Sequence, residues 1–237
     1  MQQLVLGTVQ QGMDHGLRGK LKPPREESIA LLQRAYENGV QWIDTASAYG
    51  AAESIVGEFL RKTPEARQHV RVVSKLRPNC LDDVPATQFE AVVEKELQGS
   101  LDRIGVSRLD AYLLHSSRYV FDHAIVRALE ATKSKGKTAQ DGVFIYTPEE
   151  ALHAAMSPHI DCIQVPFNVL DRRLLKTEFF SIAKDNGKTV FARSCFLLGL
   201  LLMDPDDIPA RLAHCAHHVR ELHATAENTP SLRATPS

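Results

Sequence analysis

An aspartate, a tyrosine, a lysine and a histidine stand at the ends of successive apolar runs in this 237-residue sequence. Asp44 closes Gln41–Asp44 and opens the loop DTASAYG, which carries Tyr49; Lys75 follows Val72-Val73-Ser74; His115 follows Tyr112-Leu113-Leu114. If the runs are parallel strands of a barrel, their C-terminal ends share one mouth and the four side chains converge there. The set suits reduction of a carbonyl. Hydride arriving at carbon generates an alkoxide that needs a proton, and a phenol near its ordinary pKa of about 10 gives one up poorly. An ammonium from Lys75 would favour the phenolate of Tyr49, and Asp44 would hold that ammonium charged and oriented. His115 could donate to the substrate oxygen and stabilise the charge that develops on it. Each residue alone has a plainer reading: a strand-end Asp caps a helix, a loop Tyr packs, a Lys is solvated, and a His after an apolar run is a satisfied core group. Their coincidence at three consecutive strand ends is what points to chemistry.

The elements that must position them alternate regularly. Seven strands are expected, at Leu4–Leu6, Gln41–Asp44, Val70–Ser74, Asp110–Leu114, Gly142–Ile145, Cys162–Val165 and Thr189–Ala192. Between them, Glu26–Asn38, Ala52–Lys62, Thr87–Ile104, Ala124–Lys135, Pro148–Met156 and Leu174–Asn186 carry apolar residues at helical spacing, and a last helix is expected over Pro209–Ala226. Strands alternating with helices predict a parallel sheet with crossover helices. The regular spacing, and the lack of G-x-G-x-x-G after the first strand, favour a TIM-type (β/α) barrel over a doubly wound sheet. Nothing with strand character follows the seventh unit, so the expected barrel lacks an eighth βα unit. One domain is expected over 1–227, with a disordered tail over 228–237, which is rich in Thr, Pro, Ser and Ala.

Composition narrows the partners. A formal net charge of -1 provides no basic face for nucleic acid. No apolar stretch approaches the roughly 20 residues of a membrane span, and no leader-like segment opens the chain, which predicts a cytoplasmic protein acting on small molecules. The four cysteines are dispersed, so no disulfide is expected.

The chain resembles the aldo-keto reductases. The likeness rests on the Asp44, Tyr49, Lys75 and His115 set and on the local text LGTVQQGMDHG, DTASAYGAAESIVGEFL, IDCIQVPFNVLDRR and FARSCFLLGLL, and it runs over roughly residues 3–226. The resemblance implies an NADP(H)-dependent oxidoreductase that interconverts an aldehyde or ketone and an alcohol, with Tyr49 as general acid. It also implies that Gly7 and Thr8 line the nicotinamide end beside Asp44, that Gln164 holds the carboxamide, and that Arg193 and Ser194 meet the ribose and pyrophosphate. Two departures weaken the expected grip on cofactor. Phe144 in Gly142-Val143-Phe144-Ile145 stands where the family carries a polar clamp, and the basic loop for the adenosine 2′-phosphate has no counterpart.

Two other readings compete: a catalytically impaired homologue that acts as a binding or interaction protein, and a barrel lyase using Lys75 as a Schiff-base nucleophile, which leaves Tyr49 unexplained. No metal site is expected. His214, His217 and His218 read as a solvated helix face, and Arg172 and Arg173 as a solvated helix end. Unpaired edges on the first and seventh strands would leave the barrel core open to water and predict a homo-oligomer joined there.

Overall fold

The computed structural model describes residues 3–17 and 21–228. Seven parallel strands form one sheet whose spatial order repeats the chain order: β1 (Val5–Gly7), β2 (Trp42–Asp44), β3 (Arg71–Lys75), β4 (Leu109–Leu114), β5 (Thr138–Phe144), β6 (Cys162–Pro166) and β7 (Thr189–Arg193). The sheet curls into an incomplete barrel, and β1 and β7 are not paired with each other. Nine α-helices accompany the strands among the described residues: α1 (Val9–Gly12), α2 (Arg25–Glu37), α3 (Ala52–Lys62), α4 (Ala66–His69), α5 (Phe89–Ile104), α6 (His123–Ser134), α7 (Pro148–Met156), α8 (Phe179–Asp185) and α9 (Ala216–Glu227). Among the described residues the chain therefore forms the expected (β/α) barrel, with no eighth strand. The tail expected over 228–237 lies, beyond Asn228, outside the described residues.

Several boundaries move for local reasons. β5 begins at Thr138, four residues before the expected Gly142. The helix expected over Leu174–Asn186 splits into a 3₁₀ turn at Arg173–Lys176 and α8, because Thr177 takes an extended conformation between them. The last helix starts at Ala216, after a 3₁₀ stretch over Ala210–Cys215. By contrast, α7 occupies the expected span. Its Thr147 hydroxyl accepts from the Glu150 N–H while the Glu150 carboxylate reaches back to the Thr147 N–H, a reciprocal cap that fixes the start.

The main core lies between sheet and helices, with Phe59, Val93, Leu97, Ile163 and Phe179 fully buried. A second, smaller cluster fills the barrel interior from Trp42, Val73, Ala111, Leu113, Cys162 and Phe191. Trp42 on β2 and Phe191 on β7 meet edge to face with ring centroids 5.3 Å apart. At this level the interior is filled by aromatic surface rather than open to water, although Gly7 and Ala192 at the ends of the unpaired strands stay exposed. Gly142 is required on the interior wall, since a Cβ there would lie 2.4 Å from the Cys162 carbonyl oxygen and sulfur.

Candidate active site

The ends of β2, β3 and β4 bring the expected quartet together. Lys75 is fully buried, and its ammonium donates to Asp44 Oδ1 at 2.7 Å and to the Thr45 carbonyl at 2.8 Å. The same ammonium lies 5.1 Å from the centroid of the Tyr49 ring. Across from it, the Tyr49 and His115 rings meet edge to face at 5.8 Å. The pairing of β2 with β3 and of β3 with β4 sets these positions, and Ser47 strengthens the loop by donating to the Lys75 carbonyl at 3.0 Å.

Tyr49 is held by backbone contact as well. Its loop packs on α1, where Gly12 accepts from the Ala51 N–H at 3.2 Å. A Cβ at Gly12 would sit 1.7 Å from the Tyr49 carbonyl oxygen, so no larger residue fits while the loop stays in place. Gly50, the residue after Tyr49, turns the chain at φ +55° and lies against the Gly12 carbonyl.

The electrostatics differ in one respect from the sequence expectation. Burial pushes the Tyr49 phenol above its ordinary value; Lys75 opposes this and Asp44 adds to it. Lys75 thus acts in the expected direction, but desolvation outweighs it and the phenol keeps its proton across the neutral range. His115 moves the other way, pushed down to about 4 by burial and then by Lys75, so its imidazole is neutral near pH 7. Its Nδ1 is buried with no protein partner.

The second group of expected residues is placed as follows. Gln164, at the end of β6, donates from Nε2 to Asp44 Oδ1 at 2.9 Å. Thr8 is fully buried and spends both its N–H and its hydroxyl on the Asp44 carbonyl, at 2.9 and 3.0 Å. It thereby braces β1 against β2. Gly7 is exposed beside it, with open space where a Cβ would go. The Arg193 guanidinium lies 4.0 Å from the Phe144 ring centroid and 4.8 Å from that of Tyr146, and donates to the Ile145 carbonyl at 2.9 Å. Ser194 follows with a left-handed backbone, φ 58°.

Phe144 replaces a polar clamp with an aromatic wall, its ring 5.2 Å from His115 and 4.9 Å from Tyr146. Sequence reasoning did not assign this wall. It also missed Asn168, whose side chain accepts from the N–H groups of Leu170 and Asp171 and donates to the Ser194 carbonyl, tying the loop after β6 to the end of β7. The signal for Gly12 lay in the quoted segment GTVQQG, but only the three-dimensional contact gives its reason.

A nicotinamide end is compatible with what is present: the Gln164 side chain beside Asp44, the open space above Gly7, and a planar aromatic and guanidinium surface beside Tyr49 and His115. The segment directly after β7 adds no cation for the phosphate end. Residues 194–210 contain no Lys or Arg and three aspartates, Asp204, Asp206 and Asp207.

Comparison with known proteins agrees with the family and the barrel. The model of the Aldo/keto reductase family matches residues 3–232. The NADH-specific methylglyoxal reductase of Escherichia coli is 28% identical over 192 residues, which is 75% of this chain and 59% of that protein. This chain therefore spans about three fifths of that relative's length. Among solved structures, a glycerol dehydrogenase from Gluconobacter oxydans is 26% identical with a TM-score of 0.64, over 83% of this chain and 61% of that one. An aldo/keto reductase from Klebsiella pneumoniae, solved with NADP and acetate, shares the fold at 22% identity and a TM-score of 0.64, over 93% of this chain and 72% of that one.

Proposed function

Because the chain belongs to the aldo/keto reductase family, we propose that it is an oxidoreductase interconverting a small aldehyde or ketone and its alcohol, with a nicotinamide nucleotide as redox partner and Tyr49 as proton donor. The observation that carries this reading is the fully buried Lys75 ammonium, paired with Asp44 at 2.7 Å and 5.1 Å from the Tyr49 ring. It is supported by an NADH-specific methylglyoxal reductase among the relatives and by a protein of the same fold that binds NADP.

When bound, the reduced nicotinamide supplies a hydride to the substrate carbon. In this reading Gln164 holds the carboxamide end, with Asp44 beside it. Neutral His115 offers a ring N–H to the substrate oxygen without adding a charge that would compete with Lys75 for it. Tyr49 keeps its proton on Oη until negative charge develops on that oxygen, and the ammonium of Lys75 then lowers the cost of leaving a phenolate behind. Phe144 and Tyr146 wall the site with apolar surface, which strengthens these charge interactions by excluding water.

Lys75 is poorly placed for the Schiff-base alternative. Its nitrogen is completely buried and donates to a carboxylate and a carbonyl, so no lone pair is directed at a substrate carbon. The reading as a binding protein without turnover draws on the cation-free segment after β7, and a nucleotide titration separates it from an enzyme. Tyr49→Phe tests the assignment directly with methylglyoxal as substrate and NADH absorbance as readout. Reduction should fall by about 10²–10⁴-fold while nucleotide fluorescence titrates as before. Near wild-type turnover in this variant would remove Tyr49 from the chemistry.

A further inference from the structure

The side chains around the mouth form one layer, and Arg193 belongs to it. Successive residues of a strand face opposite sides of a sheet, so a residue two positions beyond an interior one faces the interior again. Trp42, Val73, Leu113, Cys162 and Phe191 lie in the interior cluster, and two positions beyond them stand Asp44, Lys75, His115, Gln164 and Arg193. Arg193 thus enters the layer of the quartet from β7. Its guanidinium reaches over the end of β6 to β5, where it lies 4.0 Å from the centre of the Phe144 ring and donates to the Ile145 carbonyl at 2.9 Å. The His115 ring touches the same Phe144 ring, at 5.2 Å. These neutral contacts hold the cation without compensating it. The two carboxylates that act on it, Asp171 and Asp44, are engaged by Arg173 at 2.9 Å and by Lys75 at 2.7 Å. Three cations against two carboxylates leave one positive charge in excess at the mouth. Of the five N–H groups of a guanidinium, Arg193 directs one to Ile145 and one to the Ser194 hydroxyl at 3.3 Å, and its Nε–H is buried with no protein partner. Burial also disfavours its charge, which an anion beside it would favour again.

We propose that Arg193 selects substrates whose reacting aldehyde or ketone is joined by a short chain to a carboxylate, which its unspent N–H groups receive. This rests on the proposed carbonyl reduction and adds the substrate class. A planar guanidinium fork matches the two oxygens of a carboxylate, and a half-buried one is screened less by water and salt than one on the surface. Because His115 and Arg193 both touch the Phe144 ring, that ring sets the spacing. The carbonyl oxygen lies against His115 and Tyr49, and the methylenes of the chain run along the apolar ring to the guanidinium.

The test compares 4-oxobutanoate with its methyl ester, which has the same reacting aldehyde and no charge. With either compound, hydride from NADH goes to the aldehyde carbon and a proton to its oxygen, giving the alcohol and NAD⁺. The wild type should show a kcat/KM about 10–100-fold higher for the acid, the range of a hydrogen bond between charged groups. Arg193→Gln should bring the ratio of the two kcat/KM values close to one, mainly by raising KM for the acid. A part played by Arg193 in nucleotide binding would lower both values alike and cancel from the ratio. Arg193→Lys, which keeps the charge and loses the fork, should retain only part of the preference, and it carries the test if melting curves show that the glutamine variant does not fold. A wild type that treats acid and ester alike, or a folded glutamine variant that keeps the preference, would overturn the proposal. Absence of turnover with both compounds would instead sink the reading as a carbonyl reductase, and calorimetric titration of the full chain with succinate still tests the subsite. Saturable binding that Arg193→Gln weakens about tenfold supports it, and binding that is absent or indifferent to the substitution overturns it.

Discussion

Replacing Lys75 with methionine should damage stability and activity together, and a second substitution should separate the two. The variant removes an ammonium with no solvent exposure whose partner, Asp44, has a side chain only 15% exposed. Asp44 would keep one donor, the Gln164 amide at 2.9 Å, and the Thr45 carbonyl would lose its Lys75 donor. Deleting one partner of a buried ion pair costs about 3–5 kcal/mol, mainly because the remaining charge is left uncompensated. The partial exposure of Asp44 places this case near the lower end, about 3 kcal/mol, a large part of a typical total of roughly 5–15 kcal/mol. Adding Asp44→Asn removes the stranded carboxylate, so the double variant should recover much of that loss. It should not recover carbonyl reduction, because the cation beside the Tyr49 phenol is still missing. Urea denaturation of the wild type, both single variants and the double variant gives the coupling energy directly. The reasoning fails if Lys75→Met unfolds within about 0.5 kcal/mol of wild type, or if the double variant is no more stable than Lys75→Met alone.

Three other outcomes are expected. Burial pushes the Asp141 carboxyl up to about 7, so between the ordinary value near 4 and pH 7 the folded chain holds a proton that the unfolded chain has released. Stability should fall as pH rises through that window and level off above it, and Asp141→Asn should flatten the profile in melts taken from pH 4 to 8. Gly12→Ala should lower the melting temperature and impair reduction, because its Cβ would fall 1.7 Å from the Tyr49 carbonyl oxygen; an unchanged melt and rate would mean that the loop relaxes freely. Calorimetric titration should find weak nucleotide binding with little preference for NADPH over NADH, and tight NADPH-selective binding would place a phosphate site outside residues 194–210.

The parts of this molecule legible in its sequence are those written in short-range pattern. The apolar runs ending in Asp44, Lys75 and His115 gave three strand ends and so the quartet, because a parallel barrel turns that linear feature into one mouth. α3 and α7 were legible from apolar residues at helical spacing. β5 was only half legible, since the expected strand began at Gly142 while the structure also pairs Thr138, Gln140 and Asp141 with β4 and buries Asp141. The sign of the Tyr49 shift was not legible at all. The sequence names Lys75 as a neighbour, but how much water is excluded from the phenol depends on Phe144, His115 and the walls around them. Likewise, Phe144 was readable as a lost polar clamp but not as an aromatic wall between His115 and Arg193, which requires the end of β7 to lie beside the end of β5.

Because spatial order in the sheet repeats chain order, every strand pairs only with the units before and after it. Each βα unit can therefore dock as soon as its predecessor is in place, without waiting for a distant segment, and contacts between sequence neighbours carry a small loop-closure cost. The Trp42 and Phe191 pair departs from this, as does the Gln164–Asp44 hydrogen bond; the aromatic pair joins the second strand to the seventh. It forms only once the whole curl exists, so during synthesis it would be among the last native contacts made. Until then the indole faces an unfinished interior. A shift in tryptophan emission late in refolding, after most helical signal has returned, would be the kinetic mark of the curl closing on itself.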